Sequence, residues 1–369
     1  MTDLDALAKL GDSFRTSIPS APPVGRSRDL TRVLDLGRVS PWGDPELEDS
    51  LSKGGMALRP LQLEALTSTR DNRGLLGLLP VGCGKTLIGA LAPTALGAHK
   101  AVYFTRSGDK RYLIEQTIKR IDEYRKYWDI LPPEDLSVMS YGQLSTRTGV
   151  DLLDTLAPDV VVLDEADHLG NPHSVRTRRF LRYMKANPET DLVVMSGTLL
   201  SASLKNLAHL AQHTLYEGSP LPLHWPNLQA WADALDPGGT RDPGALATFQ
   251  DRFGGKTPRE GFRRRFLSCP GVVASDKPSV DIPLTHKILE LPEVARAERK
   301  RLDSLWELPD GKELVRATDW VRNRNALALG YYYRWKWPDG VDYEWVTASR
   351  VLRRLVNNVA VRSRTLDSP

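Results

Sequence analysis

The sequence predicts an α/β protein: a lobe built on a parallel sheet with helices on both faces, followed by a mostly helical C-terminal extension. Three observations carry this. Between residues 56 and 215 short, uniformly apolar runs alternate with amphipathic helical periods, and strands apolar at every position are those buried on both faces, as in parallel sheets. A glycine-rich turn ending in Lys85-Thr86 follows the first of these runs and opens a helix. Beyond about Leu215 the strand signal fades and helical periods take over.

Taken in order, residues 1–53 are polar, contain Pro19, Pro22, Pro23, Pro41 and Pro45, and lack a long apolar period. They are expected to form a loosely ordered N-terminal extension with one short helix at 30–36. Residues 54–215 form the sheet lobe. Within it residues 75–79 read as a strand, 84–96 as a helix, 101–105 as a strand and 112–127 as a helix, with further strands at 138–140, 160–163 and 192–195. Residues 216–369 form the extension, with helical patterns at 228–235, 296–308, 314–329 and 345–356. No internal repeat is present at a solenoid period.

At 369 residues the chain exceeds the roughly 250–300 at which a single core stops growing, so a second domain or a large appendage is expected. The apolar content of 41% and charged content of 26% are those of a folded globular chain and argue against wholesale disorder. The most apolar stretch, residues 75–98, is interrupted by Lys85, Thr86, glycines and prolines, which argues against a membrane span. Cys83 and Cys269 are read as free thiols in a reducing cytoplasm. Charge is uneven: residues 1–50 carry 6 basic and 9 acidic side chains, and residues 251–369 carry 23 and 16. The C-terminal excess fits a polyanion-binding face, and equally an arginine-rich solvated surface.

Leu79-Pro80-Val81-Gly82-Cys83-Gly84-Lys85-Thr86 stands between an apolar strand and a helix, the context of a Walker A phosphate loop. Backbone N–H groups at the helix start face the phosphates, and the glycines let the backbone approach. Lys85 reaches the β and γ oxygens, and Thr86 ligates Mg2+. Leu79 replaces the first glycine of the pattern. A glycine-rich turn without a ligand is the plainer alternative. Val160-Val161-Val162-Leu163-Asp164-Glu165-Ala166-Asp167 ends a buried strand in carboxylates, at the edge of a parallel sheet where ligands sit. Asp164 is suited to hold Mg2+ and Glu165 to orient and deprotonate an attacking water. In isolation an acidic turn after any strand looks the same; its place about 80 residues after a Walker loop gives it meaning.

These residues resemble a superfamily 2 helicase, which implies a RecA-like P-loop NTPase lobe that binds ATP. Leu58-Arg59-Pro60-Leu61-Gln62 is similar to the family's adenine-reading segment, which implies that Gln62 contacts the base. Asp164 to Asp167 spell the DEAD box literally, but Asp164-Glu165-Ala166-Asp167-His168-Leu169-Gly170-Asn171 is closer to the Asp-Glu-Ala-His-x-Leu-Lys-Asn form of the Snf-type double-stranded DNA translocases, from which Asp167 and Gly170 depart. Ser196-Gly197-Thr198-Leu199-Leu200, followed by Ser203, Leu204 and Leu207, is similar to the coupling motif. The resemblance implies that Ser196 and Thr198 relay the state of the γ-phosphate.

Tyr103-Phe104-Thr105-Arg106 and Ser140-Tyr141-Gly142-Gln143-Leu144 resemble motifs gripping a nucleic-acid backbone, which implies contacts from Thr105, Arg106, Ser140 and Tyr141. Ordinary strand ends share that pattern. Residues 259–266 and Val280-Asp281-Ile282-Pro283-Leu284 resemble the Snf-type basic helix and proline-containing strand. Leu327-Ala328-Leu329-Gly330-Tyr331-Tyr332-Tyr333-Arg334-Trp335 is similar to the inter-lobe region of helicase-like proteins of actinobacterial bacteriophages, which would place the chain in a host cytoplasm. Its aromatics could stack on bases or pack a helical appendage.

The resemblance covers residues 56–207 strongly and 215–356 loosely, and then stops. A second RecA-like lobe would carry Gln-x-x-Gly-Arg-x-x-Arg, and neither the arginines at 350–354 nor those at 362–364 have its glycine or strand. The expectation is therefore an ATP-dependent DNA helicase or translocase lobe that binds Mg-ATP and nucleic acid, duplex DNA above RNA, and hydrolyses ATP poorly by itself. The second lobe is expected on another polypeptide or in a part removed by truncation. Two other readings stand beside it: a non-cycling, ATP-gated nucleic-acid-binding module, and a DEAD-box-type RNA helicase lobe.

Overall fold

The computed structural model describes residues 21–39, 41–106, 112–197, 203–275, 293–314 and 317–328. The chain divides into two compact units, Met1–Ile282 and Pro283–Pro369. The first is an α/β unit around one six-stranded sheet in the order β3 (Leu136–Ser140), β2 (Ala101–Thr105), β4 (Val160–Asp164), β5 (Asp191–Ser196), β1 (Gly74–Leu78) and β6 (Val272–Ala274). Every neighbouring pair is parallel.

In chain order the unit runs α1 (Arg28–Asp35), α2 (Pro45–Leu51), α3 (Pro60–Asn72), β1 (Gly74–Leu78), α4 (Lys85–Ala95), β2 (Ala101–Thr105), α5 (Tyr112–Tyr124) and β3 (Leu136–Ser140). It continues through α6 (Leu152–Leu156), β4 (Val160–Asp164), α7 (Val175–Ala186), β5 (Asp191–Ser196) and α8 (Leu204–Leu215). It ends with α9 (Trp225–Leu235), α10 (Ala247–Phe253), α11 (Pro258–Leu267) and β6 (Val272–Ala274).

Successive strand residues point to opposite faces, and two separate cores result. Leu76, Leu78, Val102, Phe104, Val161, Leu163, Leu192 and Val194 join helices α7 to α11 on one face. On the other, Leu75, Ala101, Tyr103, Val160, Val162, Val193 and Met195 join α2, α3, α4 and α5. Both faces are covered, which is why these strands read as unbroken apolar runs.

The register sets the strand ends along one rim. Leu78 pairs with Ser196 and Asp164 with Met195, so the turns after β1, β4 and β5 emerge side by side. β5 lies between the strand that leads into the glycine turn and the strand that ends in Asp164.

Two features depart from the expectation. β6 was not legible as a strand: three residues are too few for a period, and pairing with β1 in the register Leu76 to Val272 defines it. The expected boundary at residue 215 falls inside the first unit, because α9 to α11 share a core with the sheet. The described part of the N-terminal extension is likewise integral, with Val24, Leu30 and Val33 buried in that core.

Charged side chains clasp this N-terminal segment to α9–α11. Asp29, 2% exposed, accepts hydrogen bonds from Leu223 N at 3.0 Å, His224 N at 3.3 Å, His224 Nδ1 at 3.0 Å and Asn227 Nδ2 at 2.8 Å. It thereby caps the start of α9 from a distance of 194 residues or more. Arg32 donates to the carbonyls of Glu217, Ser219 and Leu221 at 2.6–2.7 Å. In return Arg265 of α11, wholly buried, donates to Val33 O at 2.7 Å, Gly37 O at 3.1 Å and Leu36 O.

Burial pushes the Asp29 carboxyl up, but the bonds from Asn227, Leu223 and His224 outweigh it and hold the pKa below its ordinary 3.8. A carboxylate with a lowered folded-state pKa contributes its full stabilisation above the unfolded value and loses it as pH falls through the folded value. The difference in urea midpoint between the wild type and Asp29→Asn is thus expected to be constant at neutral pH and to shrink below pH 3.8. A difference untouched by acid would refute this role.

The second unit, within its described residues, holds α12 (Glu293–Leu305) and α13 (Ala317–Ala328), which correspond to the helical patterns at 296–308 and 314–329. Leu302, Leu308 and Leu327 form a small core, and Trp306 stacks on Trp320 with centroids 5.9 Å apart. The expected strand at 280–284, the aromatics at 331–335, the helix at 345–356 and the arginines near 350 and 362 lie outside the described residues. Among the described residues no helix is long and apolar enough to cross a membrane. Cys83 and Cys269 are buried and not joined in a disulfide, and burial pushes the Cys269 thiol up to about 11.

Candidate functional site at the carboxyl rim of the sheet

β1 leads into the turn through Leu79, whose N–H continues the ladder to Ser196 O at 3.1 Å. Leu79 therefore extends the strand instead of opening the loop, which accounts for its standing where a glycine was expected. Gly82 and Gly84 follow with φ of 91° and 82°, the left-handed region that glycine enters without penalty. A Cβ on Gly84 would lie 2.1 Å from Gln62 Nε2, so a side chain is excluded there on two counts.

The loop is braced by the start of α3. Arg59 Nη1 donates to Gly82 O at 3.0 Å and Gln62 Nε2 to Cys83 O at 3.3 Å. Gln62 Oε1 accepts from Arg59 N at 2.9 Å. Gln62, expected to read adenine, is buried and has both ends of its amide engaged here. Pro80, Val81 and Cys83 lie in the same turn, Cys83 inward and Val81 83% exposed.

Lys85 opens α4 with its amine turned back over the loop. Nζ donates to Leu79 O at 3.1 Å and Pro80 O at 3.5 Å, and pairs with Glu165 Oε1 at 3.2 Å. The expected cation and the expected base therefore meet, across two strand ends 80 residues apart in sequence. Glu165 reaches Lys85 from a left-handed backbone, φ 56°, a conformation that costs a non-glycine residue on the order of 1–3 kcal/mol and is concentrated at functional sites.

Asp164, the last residue of β4, is buried. Tyr103 OH donates to its Oδ2 at 3.0 Å, and Tyr141 OH to its main-chain oxygen at 2.9 Å. Oδ1 is buried with no hydrogen-bond partner. Burial raises the pKa of this carboxyl, the Glu165 charge adds to the rise, and Tyr103 and Lys85 counter it. The Thr86 hydroxyl lies beside the Tyr103 phenol. An orphaned, buried carboxylate oxygen with a threonine hydroxyl nearby fits a divalent cation, since an unpaired buried acceptor is costly unless a ligand completes it. No group of three acidic, His or Cys residues suited to a metal exists among the described residues, so such a cation would draw its other ligands from water and phosphate.

No family model matches this chain, and no curated protein does.

The turn after β5 packs directly on the loop: a Cβ on Gly197 would meet Leu79 O at 3.3 Å and Pro80 Cα at 3.4 Å. Ser196 is fully buried at the strand end. Thr198 lies outside the described residues. Of the four residues expected to touch nucleic acid, Arg106 is exposed on the rim, and Thr105 and Ser140 are buried strand ends. Tyr141 is a correction. Its ring is wholly buried, packed between Phe104 at 5.7 Å and His168 at 5.2 Å, and its hydroxyl is spent on Asp164. It supports the carboxylate from below and offers no side chain to a ligand on the surface.

The residues that the sequence reading passed over are Tyr103 and Arg59. A tyrosine inside an apolar strand is the available signal for the first, since a buried phenol needs a hydrogen-bond partner.

Proposed function

We propose that this chain is the ATP-binding, RecA-like lobe of an ATP-dependent DNA helicase or translocase. The observation that carries the reading is the convergence of Lys85 with Glu165 at 3.2 Å beside the unpartnered, buried Asp164 Oδ1, at one rim of a parallel sheet.

In this reading the loop 80–84 cradles the β and γ phosphates and the Lys85 amine exchanges its carbonyl partners for phosphate oxygens. Thr86 and Asp164 would hold Mg2+, which supplies charge neutralisation at the phosphates. Displacement of Lys85 frees Glu165, which then takes the proton of the attacking water. The Ser196-Gly197 turn, in contact with the loop and carried on the strand between the two motifs, is placed to register the change. Arg106, exposed on the same rim, is the surviving candidate for a phosphate-backbone contact, and duplex DNA is favoured over RNA by the Snf-type resemblance alone.

The 369 residues hold no Gln-x-x-Gly-Arg-x-x-Arg segment, so in this reading the arginine that completes such a site lies outside them. Such an arginine contributes about 10³–10⁵ in turnover. The test is ATP binding and hydrolysis by the chain, with and without duplex DNA and single-stranded RNA. Tight Mg-ATP binding with slow turnover, raised by a partner carrying the arginine motif, is expected. Vigorous DNA-stimulated hydrolysis by the chain alone would contradict the half-motor reading, and stimulation by single-stranded RNA alone would move the assignment to the DEAD-box class.

A further inference from the structure

β2 carries two hydroxyls, that of Thr105 at its rim end and that of Tyr103 in its middle, and Tyr103 is 0% exposed. A phenylalanine would fill the same space. The phenol oxygen is tolerated in the core only because it is bonded, and its partner is Asp164 Oδ2 at 3.0 Å. Room for the ring comes from a second locally unfavourable choice. Gly89 lies inside α4, where glycine costs about 0.5–1 kcal/mol relative to alanine. A Cβ there would stand 2.7 Å from Tyr103 Cε2, 2.8 Å from Met195 Cε and 2.9 Å from Val162 Cγ1.

Two residues disfavoured by local rules thus converge on fixing one carboxylate oxygen. Tyr141 fixes the main-chain oxygen of the same residue at 2.9 Å, so Asp164 is held from both sides. With Oδ2 occupied, Oδ1 is the carboxylate oxygen left without a protein partner.

We propose that Tyr103 is a positioning residue for the cation site: by donating to Asp164 Oδ2 it locks the carboxylate with Oδ1 alone presented to a divalent cation. Gly89 is the complementary vacancy in α4 that seats the ring. The proposal rests on the reading of this rim as a Mg-ATP site. Partners that orient a metal-binding carboxylate by hydrogen bonding matter to metal affinity by about 10- to 100-fold.

The test uses the full chain, a fluorescent ATP analogue and titration with MgCl2. In Tyr103→Phe the Mg2+ midpoint for nucleotide binding is expected to rise about 10- to 100-fold, while nucleotide affinity in EDTA stays at the wild-type value. In an Asp164→Asn background the same substitution is expected to add nothing, because the oxygen it orients no longer carries the charge.

An unchanged Mg2+ midpoint in Tyr103→Phe would overturn the proposal while leaving the nucleotide site intact. So would an equal loss of affinity with and without Mg2+, the mark of a purely structural role, or a full additional effect on top of Asp164→Asn. Wild-type protein that binds no nucleotide under either condition overturns the reading of the rim and this inference with it.

Discussion

Lys85→Ala is expected to abolish detectable nucleotide binding. The amine joins the glycine turn to the carboxylate turn, through Leu79 O at 3.1 Å and Glu165 Oε1 at 3.2 Å. In the proposed function these bonds would be exchanged for charge-assisted bonds to phosphate. Each such bond contributes about 1.5–3 kcal/mol, so losing two corresponds to roughly 10²- to 10⁴-fold in affinity. Glu165→Gln, which keeps the amine, is expected to retain binding and lose turnover. Titration of both variants with a fluorescent ATP analogue separates the roles. Wild-type affinity in Lys85→Ala would remove the phosphate-loop assignment, and the rest of the functional reading would go with it.

How much of this was legible depended on whether the cause was local. β1, β2, β4 and β5 are apolar through their middles because both sheet faces are covered there, and that pattern survives in the sequence within a residue at each end, whereas edge strand β3 is half-buried and carries two serines. β6 left no trace, since Val272–Ala274 is a strand only by virtue of Leu76 and its neighbours in β1. The clasp was equally invisible. Asp29 and Arg32 look like the solvated face of a short polar helix, and their partners are carbonyls and N–H groups nearly 200 positions away. Backbone groups have no sequence signature, so a charge satisfied by them reads as a charge in water.

The site divides in the same way. Gly82, Gly84, Lys85, Asp164 and Glu165 follow from the chemistry of phosphate and a water nucleophile, and the structure brings Lys85 and Glu165 into contact. What the motif could not show is what holds them: the brace from Arg59 and Gln62, the left-handed turn at Glu165 and the phenols of Tyr103 and Tyr141. For Tyr141 a nucleic-acid contact is implied only by the resemblance of Ser140-Tyr141-Gly142-Gln143-Leu144 to a backbone-gripping motif. A strand end places a residue at the rim without settling whether its side chain faces solvent or the core, and stacking against Phe104 and His168 settled it inward.

Arg265→Met is expected to destabilise the fold substantially, away from the candidate site. The guanidinium is fully buried, and no carboxylate pairs with it among the described residues; its hydrogen bonds go to the carbonyls of Val33, Leu36 and Gly37. Those carbonyls belong to the last turn of α1 and the residues after it, which lack helical partners. An eight-residue helix is too short to persist alone in water, so α1 depends on this capping and on burial of Leu30 and Val33. Methionine keeps most of the side-chain volume and removes all the donors. With each unpartnered buried acceptor costing about 1–3 kcal/mol and Gly37 able to find water, a loss of about 2–5 kcal/mol follows. Arg259→Met, on the exposed face of the same helix, is expected to change stability by no more than about 0.5 kcal/mol. Urea denaturation measures both, and limited proteolysis should cut Arg265→Met first within residues 21–39. If Arg265→Met unfolds at the wild-type midpoint, those carbonyls are satisfied by water and the N-terminal segment is held by its apolar contacts and the Asp29 and Arg32 bonds without help from Arg265.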